Sequence, residues 1–299
     1  MMTGNRIKTV LALAAVATTG FAFNVAAEEI LPDLDGKKEQ IKHLVDQDGF
    51  MNPPVCARPG AFWAWLEGHV SLDRITYELE EMKAKGMGGA DIWDVHAYIN
   101  PDGMIPAGPT FLGEESVKAI AHTLREAKRL GLSMGMVAAS GWNAGGRWVK
   151  PADAGMGLFH SQVSVEGPIT FSQALPFPVV PKDCPKDAQG RPLFYRDVAV
   201  LAVPQTEDQT LESTDSVMDL TRYYDKNGRL TWNVPAGKWT ILRFIMSNTG
   251  YQLIAQSLNS GGPMIDFLNP ESTRMHFGHI MERLESELGD LNEFPLDHL

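Results

Sequence analysis

Residues 61–69, Ala-Phe-Trp-Ala-Trp-Leu-Glu-Gly-His, form a short apolar run rich in aromatic side chains that ends in polar residues. Such a run is typical of a buried strand, and we expect a helix next, with Ser71 as its N-cap and Gly86 at its end. The pattern then repeats with a strand at 89–95, a second helix and a strand at 132–139. Alternating strands and helices with glycine at each helix exit predict parallel βα units.

The pattern becomes β-rich after about residue 157. Pro and Gly turns separate three β-rich stretches, at 159–165, 194–203 and 230–245. Within the third stretch, Trp232-Asn-Val-Pro-Ala-Gly-Lys-Trp239 predicts a hairpin that turns at Pro235-Ala-Gly237. We therefore expect an inserted all-β, sandwich-like domain.

Helical periodicity returns towards the C-terminus. Asn269 is the expected N-cap of a helix with Pro270 at its first position, and Gly289 is expected to end it. The run 263–268, Pro-Met-Ile-Asp-Phe-Leu, is a candidate strand before this helix.

These elements set the expected fold and domain organisation. A closed (β/α)8 barrel needs eight strands, and the sequence supplies three to four βα units outside the β-rich region. The predicted fold is α/β, a partial (β/α)8 TIM-type barrel (its first three to four βα units) with an inserted all-β sandwich-like domain. The expected division is a signal peptide at 1–27, the first βα units at 28–157, the β-rich insertion at 158–262 and a resumed, truncated βα unit at 263–299.

The N-terminus has the pattern of a secretory signal. Arg6 and Lys8 precede an apolar run from Val10 to Ala26, and the small residues around it suit cleavage near Ala27. We expect a secreted or periplasmic protein with no membrane span after cleavage. The alternative reading of this run is an N-terminal membrane anchor.

The chain is acidic, with a net charge of −11, and becomes −13 once the two cations of the signal are removed. Nucleic acids and anionic lipids need clustered Lys and Arg, so both are disfavoured as partners. Neutral polymers such as polysaccharides are compatible with this charge.

Candidate site residues lie where the predicted strands end, because parallel barrels carry their chemistry at that edge. Aromatic rings pack on the apolar faces of sugars, while carboxylates and amides bind sugar hydroxyls. In the first strand, alternation predicts one shared face for Trp63, Trp65 and Glu67. The predicted substrate-binding residues are Trp65, Glu67, Asp94, His96, Trp142 and Asn143.

Other roles stay open for the same residues. The Trp side chains could instead be core packing, since large aromatics are well buried on average. Asp94 and His96 could be metal ligands, acid/base groups or a structural ion pair. A serine hydrolase is disfavoured, because Ser133 in Gly-Leu-Ser-Met-Gly lies between a helix exit and a strand instead of at a strand-to-helix turn.

Several of these stretches resemble glycoside hydrolase family 106, the α-L-rhamnosidases. The resemblance runs in order through the chain and is carried by residues 59–70 (PGAFWAWLEGHV), 75–92 (ITYELEEMKAKGMGGADI), 127–136 (AKRLGLSMGM), 140–143 (SGWN), 145–149 (GGRWV), 234–239 (VPAGKW) and 266–271 (DFLNPE). One departure is Glu67, where the family pattern leads us to expect Asn, and this bears on which sugar is preferred.

The resemblance implies a (β/α)8 barrel with β-sandwich insertions that hydrolyses terminal α-L-rhamnosides with inversion, assisted by calcium. Its substrates would be plant or bacterial polysaccharides or rhamnosides. Inversion needs one carboxylic acid and one carboxylate, and the resemblance places this pair beyond Leu299. The isolated chain is therefore expected to be inactive, and its catalytic residues and metal ligands are not identified.

Two alternatives to a rhamnosidase remain at this point. One is a non-catalytic carbohydrate-binding protein built on the β-rich region, and the other is a barrel hydrolase for a different deoxy or uronic sugar. Substrate profiling would distinguish them, because function follows from sites and not from folds.

Overall fold

A computed structural model describes residues 47–207, 210–211 and 213–299. The chain divides into two compact units, residues 1–58 and 59–299. In the first unit the described part holds helix α1 (Gln47–Met51) and a short 3-10 turn. The predicted signal peptide, residues 1–27, lies outside the described residues. Within the described ranges, no helix is long and apolar enough to cross a membrane.

The described residues of the second unit form two four-stranded sheets and three α-helices. The first sheet is parallel, with strand order β1-β2-β3-β8, and the second is antiparallel, with order β4-β7-β5-β6. The strands are β1 Gly60–Leu66, β2 Gly89–Val95, β3 Ser133–Met136, β4 Met156–Ala174, β5 Tyr195–Pro204, β6 Met218–Asp219, β7 Arg229–Asn248 and β8 Leu296–His298. The helices are α2 Leu72–Ala84, α3 Glu114–Leu130 and α4 Pro270–Leu288.

Local sequence signals set the helix ends as expected. The Ser71 hydroxyl accepts a hydrogen bond from the backbone N–H of Arg74 at the start of α2. Gly131 ends α3 with a φ of 64°, a conformation that favours glycine because it lacks a Cβ. The Asn269 side chain accepts from the N–H of Glu271 at the start of α4. These caps confirm the three predicted helix positions.

In the part of the chain that the structure describes, the parallel sheet is covered on one face. Alternate side chains of β1, β2 and β3 pack against α2, α3 and α4 in one core, with Leu79, Ile120, Leu124 and Ile280 fully buried. On the opposite face Phe62 and Leu66 are exposed. The helices lie on the first face because each follows a strand as a crossover connection.

The fourth parallel strand differs from the predicted one. Residues 263–268 form no strand in the parallel sheet; Met264 and Ile265 instead make isolated antiparallel bridges with Gly145 and Ala154. The fourth strand is β8, which pairs with β3 after α4. The candidate strand was wrong because an apolar run does not reveal its partners, and Asp266 turns the chain directly into the helix cap.

The antiparallel sheet forms part of its core by bending. Trp232 and Trp239 lie seven residues apart in β7, which would separate their Cα atoms by about 23 Å in an extended strand. Their ring centroids are 5.7 Å apart, so β7 bends sharply between them. The predicted hairpin is therefore wrong: both halves of β7 pair with β4, across a register shift between Gly167 and Ile169. The side chains of the two halves meet in one core cluster.

Candidate functional site

The carboxyl ends of β1 and β2 and the loop after β3 meet one returning stretch of the chain. This stretch, residues 254–258, follows the antiparallel sheet and precedes α4. It contacts five of the six predicted site residues by hydrogen bonds to backbone or side-chain atoms. We call residues 254–258 the rim segment. The carboxyl edge of the parallel sheet is thus built from parts of the chain that are far apart in sequence.

Glu67 holds the rim segment through its carboxylate. The residue is fully buried, and its φ of 54° turns the chain at the end of β1. One carboxylate oxygen accepts from the Ala97 N–H at 2.9 Å and from the His96 ring, and the other accepts from the Leu258 N–H at 2.8 Å. Burial acts to raise the pKa of Glu67, but these donors outweigh it and the pKa lies below its usual value. Glu67 is therefore an ionised acceptor.

Asp94 makes a second buried anchor beside the first. One carboxylate oxygen accepts from the hydroxyls of Ser140 and Ser257, the latter at 2.8 Å, and the Ser140 hydroxyl accepts from the Ser257 N–H at 2.8 Å. Burial and the nearby negative charge of Glu67 raise the pKa of Asp94, although the two serine donors oppose the shift. Asp94 and Glu67 are thus shifted in opposite directions.

Backbone hydrogen bonds complete the attachment of the rim segment. The His96 N–H donates to Ala255 O at 2.9 Å, and the Trp142 N–H donates to Ile254 O at 3.1 Å. The Asn143 side-chain oxygen accepts from the Ile254 N–H at 3.2 Å. Gly141 has a φ of 86°, and a Cβ there would overlap the carbonyl oxygen of Ile254. A glycine is therefore required where the loop after β3 passes the rim segment.

Trp63 and Trp65 share one face of β1, as predicted, but it is the face that the helices cover. Trp65 is 3% exposed and packs with Trp63 in the core beneath the helices, and the buried Glu67 follows directly after the strand with a positive φ. As placed here, Trp65 offers no surface to a sugar. Its position follows the core-packing alternative, which a large aromatic side chain satisfies well.

The remaining predicted residues leave a partly exposed surface. Trp142 is 58% exposed, and its ring lies 4.2 Å from that of Trp93, centroid to centroid. His96 has 29% of its side chain exposed, and its Nδ1 donates to ionised Glu67. In the neutral ring the opposite nitrogen, Nε2, is then a hydrogen-bond acceptor.

Sequence reasoning missed the rim segment itself, above all Ser257 and Leu258. These residues follow the β-rich region and show no periodicity, so nothing in their own stretch points to the sheet edge. Ser140 was also missed as a partner of Asp94. The available signal was the run of small residues Ser140-Gly141, which allows a close approach by another backbone.

A further buried group lies under the loop after β3. His276 in α4 is fully buried, accepts at Nδ1 from the Trp148 indole N–H at 3.2 Å, and donates from Nε2 to Ala138 O at 2.8 Å. Burial, together with nearby His279, lowers the pKa of His276 despite the Ala138 hydrogen bond. The ring is held neutral and ties the helix to the loop.

The carboxylate oxygens that hold the rim segment do not suit the implied calcium ion. They accept from N–H and O–H donors, which would point hydrogen atoms at a cation, whereas calcium takes six to eight oxygen ligands. Across the described ranges, no group of three or more His, Cys, Asp or Glu side chains could hold a metal ion. Calcium stays a prediction.

Comparison with known proteins relates this architecture to carbohydrate enzymes. A family model described as alpha-L-rhamnosidase matches residues 51–215 and 186–293. A Formosa agariphila protein named "Putative beta-glucuronidase" is 28% identical over an alignment of 277 residues that covers 82% of this chain and 22% of that protein. The rhamnosidase structure from Novosphingobium sp. PP1Y superposes with a TM-score of 0.64 at 18% identity, over 81% of this chain and 38% of the other. The chain thus spans well under half the length of these relatives.

Proposed function

The chain belongs to glycoside hydrolase family 106, the α-L-rhamnosidase family, and from this premise we propose that it is part of an inverting α-L-rhamnosidase. The observation that carries the proposal is the convergence of His96, Trp142 and Asn143 at the carboxyl edge of a parallel sheet. This is the edge at which barrel enzymes bind substrate. The proposal includes export of the protein, which rests on the N-terminal pattern alone.

We also propose that the parallel sheet is one part of a (β/α)8 barrel. Its strands follow one another as sequential neighbours, its helices cover one face, and the other face exposes Phe62 and Leu66. A cavity of about 390 Å³ lies along the edge strand β1, and the buried Trp65 indole N–H beside it has no hydrogen-bond partner among the described residues. A further strand beside β1 would cover the cavity at this edge, and closure of the sheet into a ring would cover the face that exposes Phe62 and Leu66.

The acid and the base of the reaction are proposed to come from other strands of that barrel. An inverting enzyme needs two accessible carboxyl groups about 6.5–9.5 Å apart, with water beside one of them. Glu67 and Asp94 are both buried and hold the rim segment, so neither can reach a leaving group or a water molecule. These two residues are assigned to structure.

Hydrolysis of an aryl α-L-rhamnoside tests this proposal. We expect the protein encoded by the complete reading frame around this chain to release the aryl group, with β-L-rhamnose as the first product in NMR. The chain of residues 28–299 alone should be inactive. Turnover by that chain would refute the placement of the acid/base pair, and no turnover of any rhamnoside by the longer protein would refute the substrate.

A uronic sugar is the second candidate substrate, because the Formosa agariphila relative is named as a glucuronidase. An aryl β-D-glucuronide in the same assay decides between the two sugars. A purely carbohydrate-binding role on the antiparallel sheet is less favoured, since the family match extends over both sheets.

A further inference from the structure

Exposed apolar side chains lie beside the buried anchors at the carboxyl edge of the parallel sheet. Ile254 is 53% exposed and Leu258 is 55% exposed, although the backbone of both is fixed by hydrogen bonds. The Trp142 N–H donates a hydrogen bond to the Ile254 carbonyl oxygen. The Leu258 N–H and the His96 ring both donate to the Glu67 carboxylate. We call this set the rim surface; its members are His96, Trp142, Ile254 and Leu258.

With the His96 ring neutral, none of the four side chains of the rim surface carries a formal charge. Residues 66–70, 96–112, 140–146 and 249–265, which carry the rim surface or its Glu67 anchor, contain no Lys or Arg, and Arg147 is the first cation along the chain after Trp142. A uronate carboxylate would need a cation or several N–H donors, because burying an unpaired charge is costly. A neutral deoxyhexose instead offers an apolar ring face, a methyl group and hydroxyl donors. Trp142, the aliphatic side chains and the His96 acceptor match these groups.

We propose that the rim surface binds the ring of a neutral deoxyhexose, and that Glu67 and Asp94 are positioning residues that keep this surface in shape. The inference rests on the proposed function, and it adds the binding residues and a reason for discrimination against uronic sugars. It also moves the sugar contact from Glu67 and Asp94, which are only 0% and 3% exposed, to Ile254 and Leu258.

Glu67 is suited to positioning because it joins two separate stretches of backbone. It accepts from the N–H of Ala97, in the loop after β2, and from the N–H of Leu258, in the rim segment. A glutamine here keeps one oxygen acceptor but turns its NH2 group towards one of these N–H donors. That pair cannot form a hydrogen bond, and an unsatisfied buried donor weakens the attachment.

Direct binding to the full chain tests the sugar contact. We expect methyl α-L-rhamnopyranoside to bind saturably in ligand-observed NMR, and methyl β-D-glucuronide to bind at least about tenfold more weakly. Trp142→Ala should weaken rhamnoside binding about tenfold. The matched control is Tyr223→Ala, which removes an exposed aromatic ring from the antiparallel region and should leave binding unchanged.

Three results would overturn the sugar contact: no rhamnoside binding by the wild type, equal binding of the glucuronide, or unchanged affinity in Trp142→Ala. Each is separable from failure of the proposed function. The hydrolysis assay on the longer protein can succeed with sugar contacts located elsewhere, and it reports failure of the activity independently of this surface.

The positioning role is tested with Glu67→Gln. We expect the Leu258 amide to exchange with solvent at least about tenfold faster and rhamnoside affinity to fall several-fold. In the double variant with Trp142→Ala the two affinity losses should not add, because Glu67 acts through the rim surface. The control is Asp187→Asn, which changes a carboxylate that also accepts two backbone N–H groups, but in a turn of the antiparallel region. Additive losses, or unchanged Leu258 exchange, would refute positioning.

Discussion

The parallel sheet buries one face against α2, α3 and α4, whereas the antiparallel sheet buries side chains against itself by bending. The difference shows in where polar groups lie. In the parallel sheet the buried carboxylates Glu67 and Asp94 are at the strand ends, where they join loops. In the antiparallel sheet the buried Arg243 lies within β7, paired with Asp197 and contacted by the rings of Phe177 and Tyr224.

The two sheets differ in how they use their polar groups. The strand ends of the parallel sheet combine rigid anchors with exposed apolar side chains, as a binding surface requires. The polar groups of the antiparallel sheet are used within its own packing: burial raises the pKa of Tyr224 to about 12, despite the nearby Arg243 charge. We therefore expect substitutions in the two regions to separate stability from binding.

The largest expected difference is between two tryptophans. Trp232→Ala removes a buried ring from the bend of the antiparallel sheet and should lower the free energy of unfolding by about 3–5 kcal/mol. Trp142→Ala, the matched exposed change, should cost less than about 1 kcal/mol. Urea unfolding followed by circular dichroism measures both. Equal losses of stability in the two variants would show that Trp142 is part of the core. The two regions would then not differ in the way described.

A smaller difference is expected between two glycines with positive φ. Gly190→Ala, in a turn with open space around it, should cost about 1 kcal/mol for the left-handed conformation alone. Gly141→Ala adds a clash with the carbonyl oxygen of Ile254 and should cost about 2–4 kcal/mol. Thermal unfolding of the two variants shows which substitution lowers the stability more. If Gly190→Ala were the more destabilising, the close contact at the rim would be wrong.

The smallest expected effect is a pH dependence in the helix-covered region. At a pH above the ordinary histidine pKa, His276 is neutral in the folded and unfolded states. As the pH falls below that value, the unfolded chain takes up a proton that the folded protein resists, because the native pKa is lowered. The free energy of unfolding should therefore fall with pH on the acid side.

His276→Gln should reduce this acid-side slope, since the variant has no ring to protonate at this position. Urea unfolding of both proteins between pH 8 and pH 5 provides the measurement, with pH 8 as the internal control. An identical slope in the two proteins would show that His276 is not the group that resists protonation.

Local signals made much of the fold predictable. Helix ends depend on interactions within a few residues, as at Ser71, Gly131 and Asn269. They can therefore be predicted from the sequence without knowledge of the tertiary structure. The β-rich stretches were also located correctly, as β4, β5 and β7. The bend in β7 was mistaken for a hairpin because Pro and Gly indicate that the chain changes direction but not which strand each half pairs with.

The candidate site was less predictable, because its partners come from distant stretches. The sequence indicated Glu67 and Asp94 as polar groups at strand ends, and both lie at that edge. It did not indicate that the rim segment would occupy their carboxylates, since Ser257 and Leu258 carry no pattern of their own. Trp65 was misplaced for a simpler reason: alternation fixes which residues share a face of a strand, but not which face the helices cover.

The attachment of the rim segment has a consequence for the growing chain on the ribosome. The hydrogen bonds of the two carboxylates to Leu258 and Ser257 join residues 191 and 163 positions apart. The strands that carry Glu67 and Asp94 are therefore synthesised long before their partners exist. Until the whole antiparallel sheet has been translated, the two acids have only their nearer donors, and the surface above them cannot yet be assembled.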